Sequence, residues 1–172
     1  MRLRAEQNPG GGITANMEPN KSSILILALG NDFMGDDAVG LHAAKALRQK
    51  YDDRVTIVEA MIAGYSLLEL LDGYTHVLLL DAISTGMCEP GTIREFSMDE
   101  FEILNSASPH YVGIPEVFAL GTRLDLEMPS EFRILTMEIE NPREIHEGLN
   151  PAIELALETF LSRADAILRA WC

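Results

Sequence analysis

Two short, continuously apolar runs limit most strongly what this chain can fold into. Residues 23–29 (Ser-Ile-Leu-Ile-Leu-Ala-Leu) lead into Gly30 and Asn31, and residues 76–81 (His-Val-Leu-Leu-Leu-Asp) end at Asp81. Apolar runs of this length, bounded by turn residues, are typical of strands that are buried on both faces. Such strands lie in parallel sheets with helices on both sides, which is the first expectation for this chain.

Further segments alternate between strand and helix patterns. We predict strands at residues 55–59, 92–96 and 132–138, the second of them at a sheet edge, and helices starting near residues 39, 64, 114 and 150. Asp36 or Asp37 is positioned to cap the first of these helices, and Asn150 to cap the last, with Pro151 in its first turn. The predicted fold is a three-layer α/β fold with a mostly parallel, twisted sheet of about five strands and helices on both faces.

The length and the composition fit one folded domain. Residues 1–21 are polar and rich in Gly, Asn and Pro, so we predict a disordered N-terminal tail there, with Met17 as an alternative start to Met1. Residues 22–172 are predicted to form a single α/β domain.

Charge and cysteine content narrow the classes of partner. The formal net charge of -14 argues against binding to nucleic acid or to an anionic membrane surface. The two cysteines, Cys88 and Cys172, have no CxxC or Cys/His spacing, which argues against a zinc site built on thiolates and favours a reducing compartment. With no secretory signal and no run long enough to span a membrane, we predict a cytoplasmic protein.

Three residues are candidates for a functional site. Asp37 lies in the loop after the first strand, Asp81 ends the third strand, and His110 follows Ser-Ala-Ser-Pro in a loop. Ligands of open parallel sheets bind at the carboxyl ends of the strands, where we expect both aspartates to lie. Two carboxylates and one imidazole suit an intermediate divalent metal such as nickel or zinc.

Each candidate also has a simpler interpretation. Asp37 could act only as a helix cap, Asp81 could bond the Gly30 loop as a structural support, and His110 could be an ordinary loop residue. Asp36 competes with Asp37 for the place in the site.

Other polar residues are expected to lie outside the site. Glu138 and Glu140 are predicted to be solvated charges at the end of the last strand. The remaining histidines lack ligand spacing and are assigned structural or surface roles: His42, His76 and His146.

Two enzyme classes fit the sequence poorly. Gly30 and Gly35 match neither the dinucleotide-binding nor the phosphate-loop spacing, and the three aspartates between residues 31 and 37 would repel phosphate. There is no GxSxG motif and no histidine close to Cys88 in the sequence, so a nucleophilic hydrolase is disfavoured.

An ordered set of segments resembles the hydrogenase maturation endopeptidases. After Gly30 and Asn31, the matching segments are residues 35–40 (Gly-Asp-Asp-Ala-Val-Gly), 69–71 (Glu-Leu-Leu), 80–82 (Leu-Asp-Ala), 90–92 (Pro-Gly-Thr), 108–110 (Ser-Pro-His) and 147–151 (Glu-Gly-Leu-Asn-Pro). The resemblance extends over about residues 24–165, and the order of the segments is more specific than any one of them.

The resemblance implies a nickel-dependent, aspartic-type endopeptidase. Such an enzyme removes the C-terminal extension of a [NiFe]-hydrogenase large-subunit precursor after nickel insertion and thereby activates the hydrogenase. The family's metal-binding residues correspond to Asp37, Asp81 and His110, which are therefore both the predicted metal ligands and the predicted catalytic residues. The nickel would come with the precursor, and the protein is expected to be a monomer.

Two segments depart from the family pattern. The first strand ends in Ala-Leu-Gly-Asn (residues 28–31) instead of Gly-x-Gly-Asn, and residues 59–64 (Glu-Ala-Met-Ile-Ala-Gly) replace a Gly-Gly-Thr-like stretch. The second segment is expected near the site, so it bears on which hydrogenase precursor is processed. Two alternatives stay open: a non-catalytic, nickel-dependent chaperone or scaffold for hydrogenase assembly, and a metallopeptidase with another substrate.

Overall fold

A computed structural model of the chain describes residues 23–51, 54–61, 64–100, 113–142 and 145–172. The predicted tail at residues 1–21, with the alternative start at Met17, lies outside the described residues.

The described residues contain five strands and four α-helices. The strands are β1 (Ile24–Leu29), β2 (Thr56–Ala60), β3 (His76–Ile83), β4 (Ile93–Ser97) and β5 (Glu131–Glu138). The helices are α1 (Val39–Tyr51), α2 (Leu68–Leu71), α3 (Ile114–Arg123) and α4 (Pro151–Trp171). Short 3₁₀ segments lie at Gly35–Ala38, Gly64–Leu67 and Met98–Glu100.

The strands form one sheet in the order β2-β1-β3-β5-β4. The pairs β1/β2, β1/β3 and β3/β5 are parallel, and β4 runs antiparallel to β5 at the edge. The prediction of a mostly parallel five-strand sheet is confirmed. One boundary was wrong: β3 continues to Ile83, so Asp81 lies inside the strand and not at its end.

Helices cover both faces of the sheet, as its buried strands require. On one face, α1 and α4 pack over the side chains of Ile26, Ala28 and Leu80. On the other face, residues of α2 and α3 pack over Leu27 and Leu79. All six residues of β1 are buried, because each face of this strand lies under a helical layer.

Gly40 sets how closely α1 approaches the sheet. A Cβ atom on this residue would lie 2.6 Å from the carbonyl oxygens of both Leu29 and Leu80. Only glycine permits this contact, so the first turn of α1 rests on the junction between β1 and β3. The contact brings the segment before α1 close to the part of β3 that contains Asp81.

The start of α4 agrees only in part with its prediction. Asn150 occupies the N-cap position and Pro151 is the first residue of the helix, but the Asn150 side chain makes no capping hydrogen bond. Within the described residues, no helix has both the length and the apolar character needed to cross a membrane.

Candidate active site

The loop after β1 folds back tightly on itself. The backbone N–H of Asp37 donates to the carbonyl of Met34 over 3.0 Å, and this places Asp37 in a 3₁₀ segment before α1. A Cβ atom on Gly30 would lie 2.3 Å from the carbonyl oxygen of Asp37, and Gly30 has a φ of +145°. The chain can therefore turn here only with glycine, and the turn keeps the half-buried Asp37 at the carboxyl edge of the sheet.

Asp36 anchors this loop to the start of α4. Its side chain is buried, and it accepts hydrogen bonds from the backbone N–H (2.7 Å) and the Nδ2 atom (2.9 Å) of Asn150. This explains why Asn150 does not cap its own helix: its side-chain amide is directed to Asp36. The two adjacent aspartates thus have different surroundings, and the carboxylate of Asp36 is used for anchoring.

A second contact fixes the same loop two residues before Asp37. The N–H of Gly35 donates to the carbonyl of His146 over 3.1 Å, and a Cβ atom on Gly35 would lie 2.2 Å from Nε2 of the His146 ring. That Nε2 atom is buried and has no hydrogen-bond partner within the described part of the chain. Residues 145–150 therefore hold the loop at Gly35 as well as at Asp36.

Asp81 lies on β3, next to Ala82, whose side chain faces α1 and α4. Because neighbouring side chains in a strand point to opposite faces, the side chain of Asp81 is directed towards the face covered by α2 and α3. Its side chain is fully buried, with 0% exposure, and Oδ1 accepts the N–H of Ala82 over 2.9 Å. A buried carboxylate at this edge of a parallel sheet is the kind of group that open α/β folds use in ligand sites.

His110 lies outside the described residues, so the structure does not test whether it joins the two aspartates. Among the described residues, no group of three or more His, Cys, Asp or Glu side chains could hold a metal ion. The assignment of Asp37, Asp81 and His110 to the site stays a prediction.

Glu138 corrects another expectation. Glu140 is exposed as predicted, but Glu138 is 1% exposed and is not a solvated charge. Its carboxylate accepts hydrogen bonds from the N–H and the hydroxyl of Thr85 and from the N–H of Gly86, at 2.7 to 2.8 Å. It therefore holds the loop that follows β3. Its neighbours Met137 and Ile139 pack in the core under α1 and α4, so the alternation along the strand gave no local sign that Glu138 is buried as well.

Comparison with known proteins gives one consistent result. The family model described as hydrogenase maturation protease matches residues 41–167. This range contains Asp81 and His110 and begins shortly after Asp37. The chain is 33% identical over 150 residues to the hydrogenase 2 maturation protease of Escherichia coli K12, with 85% of this chain and 90% of that protein covered. A putative hydrogenase maturation protease of Methanocaldococcus jannaschii is 35% identical over 153 residues, covering 80% of this chain and 96% of that protein.

Solved structures agree with the sequence relatives. The hydrogenase maturating endopeptidase HybD of Escherichia coli superposes with a TM-score of 0.74 at 31% identity, covering 86% of this chain and 92% of HybD. The HybD hydrogenase maturation protease of Thermococcus kodakarensis gives a TM-score of 0.67 at 25% identity, covering 84% of this chain and 97% of that one. With the sheet order, the helical layers and the family match in agreement, the chain belongs to the hydrogenase maturation protease family.

Proposed function

We propose that this protease removes the C-terminal extension of a [NiFe]-hydrogenase large-subunit precursor once nickel has been inserted. Asp37, Asp81 and His110 would recognise the nickel that the precursor brings and would carry the hydrolysis. The observation that supports this most directly is the fully buried carboxylate of Asp81 at the same sheet edge as the doubly anchored loop of Asp37.

The donor set suits the metal. Carboxylate oxygens and an imidazole nitrogen are suitable ligands for nickel, and three protein ligands leave positions for groups of the substrate. Fixing Asp37 through Asp36 and Gly35 reduces the rearrangement that ligand binding would require, which favours recognition of a metal already seated in another protein.

Two routes of hydrolysis are compatible with this arrangement. The substrate's nickel could polarise the scissile carbonyl or activate the attacking water, with the carboxylates orienting the precursor. Alternatively, Asp37 or Asp81 accepts a proton from the attacking water, and the metal only positions the peptide. In both routes the carboxylates either orient the precursor or accept the proton, so the loss of either one should slow cleavage strongly.

The test is cleavage of a nickel-loaded precursor, followed by mass spectrometry. We expect the wild-type protein to release a short C-terminal peptide and Asp37→Asn to lower the rate by at least a hundredfold, since a general base contributes about 10²–10⁴-fold. Asp125→Asn is the matched control, because Asp125 is an exposed aspartate in the turn after α3, outside the loop of Asp37. A nickel-free precursor should stay uncut.

Three results would contradict the proposal in distinct ways. Equal rates of cleavage for the nickel-free and the nickel-loaded precursor would rule out nickel recognition. A stable complex without peptide release would favour a chaperone or scaffold, and stoichiometric metal in the isolated protein would favour a metallopeptidase that holds its own ion. We further propose that the enzyme acts in the cytoplasm as a monomer.

A further inference from the structure

A pocket of about 250 Å³ opens beside the loop that carries Asp37. It is lined by residues 30–33 of that loop, by Leu41 of α1 and by residues 59–61 at the end of β2. The pocket therefore lies at the carboxyl ends of β1 and β2, next to the edge where the candidate aspartates lie.

Three large apolar side chains line the pocket, and two of them are strongly exposed. Phe33 and Met61 have 77% and 67% of their surface exposed, and Leu41 forms part of the lining. Large apolar side chains left in water at one place commonly mark an interaction site. The backbone at Phe33 is held in a local turn, because its N–H donates to Oδ1 of Asn31 over 3.0 Å. The exposed ring is thus presented by an ordered turn.

The two carboxylates in the lining are neutralised by α1. Asp32 pairs with Lys45 at 3.3 Å, and Glu59 pairs with Arg48 at 2.8 Å. An incoming cation would have to displace these partners, and an incoming anion would meet both carboxylates in a protein of net charge -14. The pocket is therefore suited to an uncharged group.

Its size favours a side chain over a cofactor. Small-molecule sites enclose roughly 300–1,000 Å³ and bury most of the ligand. This pocket is smaller and is bordered by the same loop that carries Asp37, four residues after Phe33. A peptide held with its scissile bond at Asp37 would pass this pocket with the residues next to that bond.

We propose that the pocket formed by Phe33, Leu41 and Met61 binds an uncharged, apolar side chain of the precursor next to the cleaved bond. This inference rests on the proposed function and adds to it a specificity-determining site. Residues 59–61 begin the segment that departs from the family's Gly-Gly-Thr-like stretch, so this side of the pocket differs from the family pattern where it would contact the precursor.

Binding measured apart from cleavage tests the inference. The affinity of the full-length enzyme for a full-length, nickel-loaded precursor would be measured for wild type, Phe33→Ala and Met61→Ala. We expect about tenfold weaker binding for each variant, because each loses a large apolar contact. The matched control is Leu155→Ala, which truncates an 85% exposed apolar side chain on α4 and should bind as the wild type does.

A complementary change identifies the contact as direct. Two precursor variants would carry Asp immediately before or immediately after the cleaved bond. One of the two should bind the wild-type enzyme at least tenfold more weakly than the unchanged precursor does. Met61→Lys should recover part of that binding, because it supplies a cation at the pocket for the new carboxylate.

The outcomes separate this inference from the proposed function. If wild type binds the precursor without cutting it, and the two alanine variants bind more weakly, the pocket is supported and the protease proposal fails. If wild type cuts the precursor while Phe33→Ala and Met61→Ala bind and cut it normally, the pocket inference is overturned. It is also overturned if wild type binds no precursor at all.

Discussion

Carboxylates hold this molecule together in two regions, and they do so differently. At the carboxyl edge of the sheet, the buried Asp36 and Glu138 accept hydrogen bonds from neutral amide and hydroxyl groups, chiefly of the backbone. Between α1 and α4, the partly exposed Asp165 instead accepts hydrogen bonds from Lys50 and from the hydroxyl of Tyr51, and Arg169 pairs with it at 2.8 Å.

The difference lies in what happens when the carboxylate is removed. Backbone N–H groups at the edge cannot turn away from the carboxylate, so they would lose an acceptor that is itself buried, and each such loss costs about 1–3 kcal/mol. Lysine and arginine side chains between the helices can turn into water, and exposed ion pairs contribute only about 0–1 kcal/mol. The edge carboxylates should therefore determine loop conformation, and Asp165 should adjust stability.

Glu138→Ala should produce the largest effect. It removes the acceptor of three hydrogen bonds from Thr85 and Gly86, and we expect the free energy of unfolding to fall by about 3 kcal/mol. Urea unfolding measures this. Glu138→Gln keeps the shape and one acceptor oxygen, so it should lose clearly less. Equal losses for the two variants would mean that charge, and not the number of acceptors, matters at this position.

Asn150→Asp should rank second, and it has a designed rescue. The new carboxylate would face that of Asp36, which removes one hydrogen bond and adds like-charge repulsion, with an expected loss of about 2 kcal/mol. Adding Asp36→Asn restores the hydrogen bond in the opposite direction, because the side-chain amide at position 36 then donates to the carboxylate at position 150. The double variant should regain most of the stability and, because the pair holds the loop of Asp37, most of the cleavage rate. If the double variant regained stability but not the cleavage rate, the Asp36–Asn150 pair would stabilise the fold without determining the activity of the site.

The sequence predicted the sheet more directly than it predicted these edge carboxylates. The apolar runs of β1 and β3 were long and bounded enough to give the parallel sheet. The rule that ligands bind at the carboxyl ends of strands made Asp37 and Asp81 site candidates, and the preference for Asp37 over Asp36 came from the family resemblance. Their assignment to the site stays a prediction.

The anchors could not be predicted in the same way, because their partners are distant in the sequence. Asp36 meets Asn150 across 114 residues, and Glu138 meets Thr85 across 53. A local pattern assigned Asn150 to its own helix and Glu138 to solvent, and in both cases a tertiary hydrogen bond prevailed over the local preference.

A smaller effect is expected in the α1–α4 region, where it should depend on pH. Hydrogen bonds from Lys50 and then Tyr51 hold the pKa of Asp165 below its ordinary value, while burial, followed by the hydrogen bond to Asp165, raises the pKa of Tyr51 to about 12. The lowered pKa stabilises the fold above about pH 4, where an unfolded Asp is ionised, and this contribution is lost as the pH falls through the folded pKa. The raised pKa of Tyr51 has the opposite sign: its contribution is complete below about pH 10 and is lost as the pH rises towards 12.

Urea unfolding of wild type, Asp165→Asn and Tyr51→Phe between pH 3 and pH 11 would separate the two groups. Asp165→Asn should lose about 1 kcal/mol at neutral pH, since part of this ion cluster is exposed, and its difference from wild type should shrink at the acid end. Tyr51→Phe cannot ionise, so its stability should decline less steeply than that of wild type above pH 10. Lys45→Ala, which breaks only an exposed pair with Asp32, should change stability by less than about 0.5 kcal/mol. A loss in Asp165→Asn as large as that in Glu138→Ala would erase the contrast between the two regions, because it would mean that charged, mobile donors hold the fold as firmly as fixed backbone donors do.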